Sequence, residues 1–200
     1  MQRVYISADY AEDSGDRNVV DILHGWAEDS KHKVDFIDMA QVVSGSVSKN
    51  PDCRPCDLKA EFNRQINASS SVIFIVGDKT ATRKAGSKWS FLDTTDLWKY
   101  CTPYKGNYDG ARLCKYNSAE LATDDVGNIN NYSYLEHEFR QAALKNKHII
   151  IFYNSLRKEI EWLPGYMNEY ANIAVPFWVK NKNNEKVGNY EFIKQALGVD

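Results

Sequence analysis

Residues 131–153 read NYSYLEHEFRQAALKNKHIIIFY and join an amphipathic segment to a strongly apolar one. Four apolar residues of the first half recur at the spacing of one helix face: Leu135, Phe139, Ala142 and Ala143. The run at 149–153 is continuous and rich in β-branched side chains, as is typical of a strand buried on both faces of a parallel sheet. The stretch therefore predicts a helix that leads into an inner strand.

Two glutamates near the start of this helix differ in how much the sequence explains. Ser133 and Glu136 form a capping-box pattern, and Glu136 precedes Arg140 by four residues, the favourable order for a helical ion pair. Glu138 flanks the apolar seam and has no such local cation. An acid in that position tends to have a raised pKa and a chemical role, whereas the ordinary alternative is a solvated helix glutamate. Glu138 is therefore the first candidate for chemistry.

The remaining pattern alternates short apolar strands with helices, which predicts an α/β protein with a flavodoxin-like parallel sheet of about five strands. Strands are predicted at 4–7, 34–37, 72–76, 149–153 and 174–179. The predicted helix caps are Asp16, Asp57 and Asn189. In such sheets, ligands bind at the carboxyl ends of the strands. That rule collects the candidate binding residues Ser7, Ala8, Asp9, Tyr10, Asp38, Thr80, Thr82 and Arg83, although turn chemistry explains Asp9 and Tyr10 equally well.

The chain has 200 residues, enough for one domain, and its formal net charge is −2. The charge gives no electrostatic footprint for nucleic acid or an anionic membrane. No apolar run approaches the length of a membrane span, and the chain starts without a signal-peptide pattern, so we expect a cytoplasmic protein.

Residues 84–131 are too long for an ordinary strand-to-helix loop and are rich in tyrosine and tryptophan, which predicts an inserted subdomain before the third main helix. Its aromatic side chains either cover a cleft or form a subunit contact, or they simply pack the subdomain onto the sheet. The four cysteines are most simply free thiols. One alternative is a zinc site formed by Cys53, Cys56, Cys101 and Cys114. The other is a redox CxxC motif formed by Cys53 and Cys56.

Three segments together resemble a known family. The opening RVYISADY resembles the first strand of TIR and TIR-like domains, and SSSVIFIVGDKTATR resembles the third strand and following loop of the bacterial TIR-like proteins of Thoeris anti-phage systems. YLEHEFRQAALKNKHIIIFY resembles the segment of that family that carries the active-site glutamate, and the matching position is Glu138. The resemblance covers residues 1–80 and 132–180.

The resemblance implies an enzyme that cleaves NAD at the nicotinamide–ribose bond and releases a linear, cyclic or conjugated ADP-ribose signal. It further implies a separate nucleotide-sensing effector protein in antiviral defence, and a homo-oligomer is a further expectation. NAD would be the substrate and no cofactor is expected, because the glycine-rich patterns of hydride-transferring and P-loop proteins are absent. Glu138 would contact the ribose, Ser7 and its neighbours would line the base and ribose, and Thr80, Thr82 and Arg83 would meet the adenosine or the diphosphate.

Two alternatives from other functional classes stay open at the level of sequence. A non-enzymatic TIR-type interaction module would assemble partners through its surface and has no need of Glu138. A receiver-like regulator would instead place Asp9, Asp38 and Lys79 around a cation and would depend on Mg²⁺.

Overall fold

The computed structural model describes residues 2–28, 34–38, 54–83 and 133–199. Within these ranges, five parallel strands form one sheet in the order β2-β1-β3-β4-β5. The strands are β1 Gln2–Ser7, β2 Val34–Ile37, β3 Ser71–Val76, β4 His148–Tyr153 and β5 Val175–Pro176. This is the flavodoxin-like order, and it confirms the predicted fold class.

Four helices pack around the sheet in the described residues. They are α1 Arg17–Glu28, α2 Arg54–Ala68, α3 Tyr134–Leu144 and α4 Tyr190–Leu197. The predicted caps of the last two helices are confirmed, because the side chains of Ser133 and Asn189 accept hydrogen bonds from the backbone N–H groups of Glu136 and Phe192. No described helix combines the length and the apolar character that a membrane crossing requires.

The inner strands β1, β3 and β4 are mostly buried on both sides, and their alternating side chains divide the core into two clusters. Val4 and Ile6 of β1 lie in the cluster that contains the apolar side chains of α1 and α4. Tyr5 lies in the other cluster, with Phe62 and Ile66 of α2 and with Leu135 and Phe139 of α3. Because side chains two residues apart share a face, Ser7 at the end of β1 points to the same side as Tyr5.

The strand order reverses between β1 and β3, and this is the position at which open α/β sheets place their ligand crevice. The register pairs Ser7 with Phe74, so the loops that follow these strands leave the sheet side by side. The loop after β1 covers residues 8–16 and the loop after β3 begins at Gly77. Strand β4 ends at Tyr153 beside Val76, which brings the loop after β4 to the same edge.

The predicted fifth strand, 174–179, is wrong in its length. Only Val175–Pro176 joins the main sheet, and Trp178–Lys180 (β6) pairs antiparallel with Lys186–Gly188 (β7) in a separate two-stranded sheet. Pro176 has no N–H group with which to continue a ladder, and the chain leaves the sheet after it. Phe177 donates its N–H to the Tyr153 carbonyl at 2.9 Å, which fixes the point of departure.

The prediction of Asp57 as a helix cap is wrong, because helix α2 spans Arg54–Ala68 and Asp57 lies inside it. Asp16 precedes α1 as expected, and its carbonyl accepts from the N–H of Val19 at 3.0 Å. The side chain of Asp16 does something else, described below. The predicted insertion at 84–131 lies outside the described residues.

Candidate active site

The centre of the site is the carboxyl group of Glu138, which α3 presses against the end of β1. The hydroxyl of Tyr5 donates to Oε1 of Glu138, and the hydroxyl of Ser7 donates to Oε2. Glu138 is only 4% exposed, and the other two residues are buried as completely. Each oxygen of a carboxylate that has no local partner in the sequence therefore accepts one hydrogen bond from β1.

Burial raises the pKa of Glu138 to about 7, and the hydrogen bonds from Ser7 and Tyr5 oppose that rise. The pKa of the Tyr5 phenol lies well above its usual range because of burial and the neighbouring carboxylate, so Tyr5 remains a donor at neutral pH. Glu138 can consequently be either ionised or protonated near pH 7. That property is common among residues that take part in chemistry.

The sequence of α3 explains why Glu138 points inward. Ser133 caps the helix at 3.0 Å from the N–H of Glu136, and Glu136 pairs with Arg140 at 2.6 Å on the outer face. The ring of Phe139 packs edge-on against Phe74 at a centroid distance of 5.5 Å and fixes the rotation of the helix. The predicted ion pair of Glu136 with Arg140 is confirmed, and Glu138 is buried, so the alternative of a solvated helix glutamate is wrong.

An ion-pair bridge spans the loops that follow β1 and β3. Arg83 donates to Asp9 at 2.6 Å and to Asp13 at 2.8 Å, and Lys79 donates to the other oxygen of Asp13 at 2.7 Å. The hydrogen bonds from both cations lower the pKa of Asp13 to about 2. Asp9 and Arg83 of the predicted set are therefore brought together, and Asp13 and Lys79 join them.

Other predicted residues have local roles in this structure. Thr80 accepts from the N–H of Gly77 at 2.8 Å, and the hydroxyl of Thr82 donates to the Lys79 carbonyl at 3.1 Å, so both shape the loop after β3. Asp38 is buried and contacts His24 of α1. Of the three residues of the receiver-like alternative, Asp9 is paired with Arg83, Lys79 with Asp13 and Asp38 with His24.

Ala8 and Tyr10 lie on the α1 side of the sheet, whereas Tyr5, which holds the Glu138 carboxylate, lies in the other core cluster. Ala8 is buried in the core cluster on the α1 side, and Tyr10 packs against that cluster. Burial raises the pKa of Tyr10, and the negative charges of Asp38 and Glu138 raise it further. The charge of Glu138 therefore acts on the Tyr10 phenol as well as on Tyr5.

A second buried acid, Asp16, belongs to a network that the sequence did not reveal. Its Oδ1 accepts from Asn154 at 2.9 Å, and the side-chain oxygen of Asn154 accepts from the indole N–H of Trp178 at 2.7 Å. Asp16 is fully buried, and its Oδ2 has no hydrogen-bond partner among the described residues. Burial raises the pKa of Asp16 to about 7, against the effect of the Asn154 hydrogen bond.

No protein-family model matches the chain, and no curated protein is significantly similar to it. Its function is therefore inferred from the geometry of the site and from the resemblance described above.

The cysteine alternatives lie outside what the structure describes. Cys53, Cys101 and Cys114 fall outside the described residues, and for Cys56 the structure gives a helical backbone only. Within residues 2–28, 34–38, 54–83 and 133–199, no cluster of three or more histidine, cysteine, aspartate or glutamate side chains could hold a metal ion.

Tyr5 is the residue of the site that sequence reasoning missed. It was assigned only to the first strand, although its position two residues before Ser7 places both on one face. That spacing was the available signal. For Asn154 and for the side chain of Asp16 no such signal exists, because their contact joins parts of the chain 138 residues apart.

Proposed function

We propose that this protein cleaves the nicotinamide–ribose bond of NAD, with Glu138 as the catalytic carboxylate. The observation that carries the proposal is the placement of Glu138: one buried acid, held by two hydroxyl groups of β1, where the strand order reverses between β1 and β3. Open α/β sheets bind their ligands at the carboxyl ends of the strands at such a position. The resemblance to TIR-like enzymes points to the same residue.

The chemistry asks for little more than such a group. Nicotinamide leaves as a neutral base, so the reaction needs no strong general acid. The transition state resembles an oxocarbenium ion, and a carboxylate beside the ribose stabilises the positive charge and holds the ribose hydroxyls. The C–N glycosidic bond breaks with its electron pair going to nicotinamide. Water, or another nucleophile that yields a cyclic or conjugated product, then adds to the ribose carbon and gives up a proton.

The ion-pair bridge is suited to the diphosphate of the substrate. Arg83 and Lys79 lie on the loop that follows β3, and their partners Asp9 and Asp13 lie on the loop that follows β1. A diphosphate offers the same kind of acceptor as a carboxylate with more charge, and could replace Asp13 as the partner of both cations. In this proposal Thr80 and Thr82 shape the loop that carries the two cations.

The biological setting follows from the resemblance. We propose that the product is an ADP-ribose-derived signal in bacterial antiviral defence, recognised by a separate effector protein, and that the enzyme acts in the cytoplasm.

The test compares wild-type protein with Glu138→Gln and Glu136→Gln. Both substitutions replace one carboxylate of α3 by its amide, but only the first affects the buried group, since Glu136 faces outward in its pair with Arg140. NAD consumption and product mass are measured by liquid chromatography with mass detection, in cells with and without phage challenge and with purified protein.

We expect NAD loss with wild type and Glu136→Gln, and none with Glu138→Gln. The product mass then distinguishes linear, cyclic and conjugated ADP-ribose. No NAD loss with any variant, combined with intact phage protection by Glu138→Gln, contradicts the proposal and leaves a protein-interaction module. NAD loss that survives in folded Glu138→Gln removes Glu138 from the mechanism.

A further inference from the structure

The two donors that hold Glu138 differ in their distance from the carboxyl edge of the sheet. Tyr5 lies in the middle of β1, and Ser7 is the last residue of that strand, about 6.6 Å further along it. Ser7 is therefore the donor nearer to the carboxyl edge of the sheet. Ser7 bonds to Oε2 and Tyr5 to Oε1, so Oε2 is the carboxylate oxygen on the side of that edge.

The two donors also differ in how freely they can change partners. The Tyr5 ring is fully buried between the side chains of α2 and α3, in the core cluster that contains Phe62 and Phe139, so its hydroxyl is fixed by packing. The Ser7 hydroxyl is carried by a single rotatable bond. Rotation about that bond releases Oε2 to another donor, whereas replacement of the Tyr5 hydroxyl requires the core around its ring to repack.

We propose that Tyr5 is a positioning residue, which fixes the Glu138 carboxylate through Oε1 so that Oε2 is the oxygen offered to a ribose hydroxyl of the substrate. The proposal rests on the proposed NAD chemistry and adds that the two carboxylate oxygens have different roles: Oε1 holds the group in place and Oε2 binds the substrate. The Ser7 hydroxyl donates to Oε2, and in this proposal the ribose hydroxyl takes over that role.

The hydrogen bond from Tyr5 also favours the ionised form of Glu138, since it is made to the carboxylate. Other titratable groups reach this pair from the surrounding elements: Tyr10 from the loop after β1, Asp38 from the end of β2, and Tyr166 from the segment after β4. None of these groups is changed in the experiment below, so a shift in titration reports the hydrogen bond that was removed.

The experiment compares Tyr5→Phe with the matched control Tyr153→Phe. Tyr153, on β4, is fully buried in the same core cluster, and its hydroxyl has no hydrogen-bond partner among the described residues. Both changes remove one buried hydroxyl and keep the ring, but only one of them releases Glu138. Urea denaturation confirms that each variant is folded.

The first measurement needs no substrate. The carboxyl carbon of Glu138 is followed by ¹³C NMR as the pH is raised, and its resonance is assigned by its absence in Glu138→Gln. We expect a titration midpoint about one to two pH units higher in Tyr5→Phe than in wild type, because a hydrogen bond to the charged form is lost. The midpoint in Tyr153→Phe stays at the wild-type value.

The second measurement is the pH profile of NAD cleavage. We expect kcat of Tyr5→Phe to fall about 10- to 100-fold with little change in KM, as for a misplaced catalytic group. The acid limb of its kcat/KM profile moves to higher pH. Ser7→Ala, the second variant, should alter KM more than kcat, because Ser7 stands where the substrate binds.

Unchanged NMR midpoints and pH profiles in Tyr5→Phe overturn the proposal, whatever happens to stability. A larger effect on kcat in Ser7→Ala than in Tyr5→Phe overturns the assignment of the two oxygens. If the NMR midpoint moves but wild type consumes no NAD, the proposed function fails. The assignment of Oε2 to a ribose hydroxyl fails with it, and the Tyr5 hydrogen bond remains as the group that holds Glu138.

Discussion

Replacing Asp16 by asparagine should stabilise the protein at alkaline pH and destabilise it at acid pH. Asparagine has the same shape and can still accept the hydrogen bond from Asn154, whose orientation is set by Trp178. The substitution therefore removes the ionisation of a fully buried side chain and keeps its packing.

The magnitude follows from the folded-state pKa of about 7, compared with 3.8 in an ordinary environment. The folded protein binds this proton more tightly than the unfolded chain does. Wild type therefore loses stability as the pH rises from about 4 to 7, by a total of about 4 kcal/mol. The new amide has its own cost of about 1–2 kcal/mol, since its N–H₂ group replaces an oxygen that has no partner.

Relative to wild type, the free energy of unfolding of Asp16→Asn should be higher by about 2–3 kcal/mol at pH 8 and lower by about 1–2 kcal/mol at pH 3.5. The two stability curves should cross at about pH 5. Urea denaturation from pH 3.5 to 8 measures this directly. Asp21→Asn, an exposed change on the same helix, is the control and should run parallel to wild type. A constant difference between Asp16→Asn and wild type at every pH would mean that Asp16 has the same pKa in the folded and unfolded states, and would refute the reasoning.

Three further predictions use the same structure. Glu138→Gln should abolish NAD cleavage and raise the free energy of unfolding at pH 8 by up to about 3 kcal/mol. The gain in stability is expected because the folded-state pKa of about 7 lies above the ordinary value of 4.5. Stability equal to or lower than that of wild type in urea denaturation contradicts this prediction. Initial rates of NAD cleavage at low substrate should rise with pH around a midpoint of about 7 as Glu138 ionises, and a rate that falls over that interval would instead assign the protonated form. Gly77→Ala should lower the free energy of unfolding by about 1–3 kcal/mol, because the new Cβ would lie 2.8 Å from Oδ1 of Asp16. Gly25→Ala, in open space within α1, should raise the free energy of unfolding by about 0.5–1 kcal/mol. Similar values for the two variants in thermal or urea unfolding would refute the close contact.

Local patterns were sufficient for most of the elements. The continuous apolar runs at 72–76 and 149–153 are inner strands, and the cap at Ser133 and the ion pair of Glu136 with Arg140 are formed as their spacing predicted. These features depend on neighbours within one or two turns or on burial on both faces, and a sequence displays such relations directly. The fifth strand was overextended because the apolar character of 174–179 continues after the main sheet ends at Pro176.

For the site, the sequence by itself determined that Glu138 is an acid without a local partner, and that residues after β1 and β3 meet at one edge of a parallel sheet. Only the tertiary structure decided which groups hold that acid. Tyr5 and Ser7 lie more than 130 residues away along the chain, and Asp16 meets Asn154 across a similar separation. The physical reason is that periodicity reports which face of an element is buried, whereas hydrogen-bond partners and the pKa of a buried acid depend on which faces pack together and in what register.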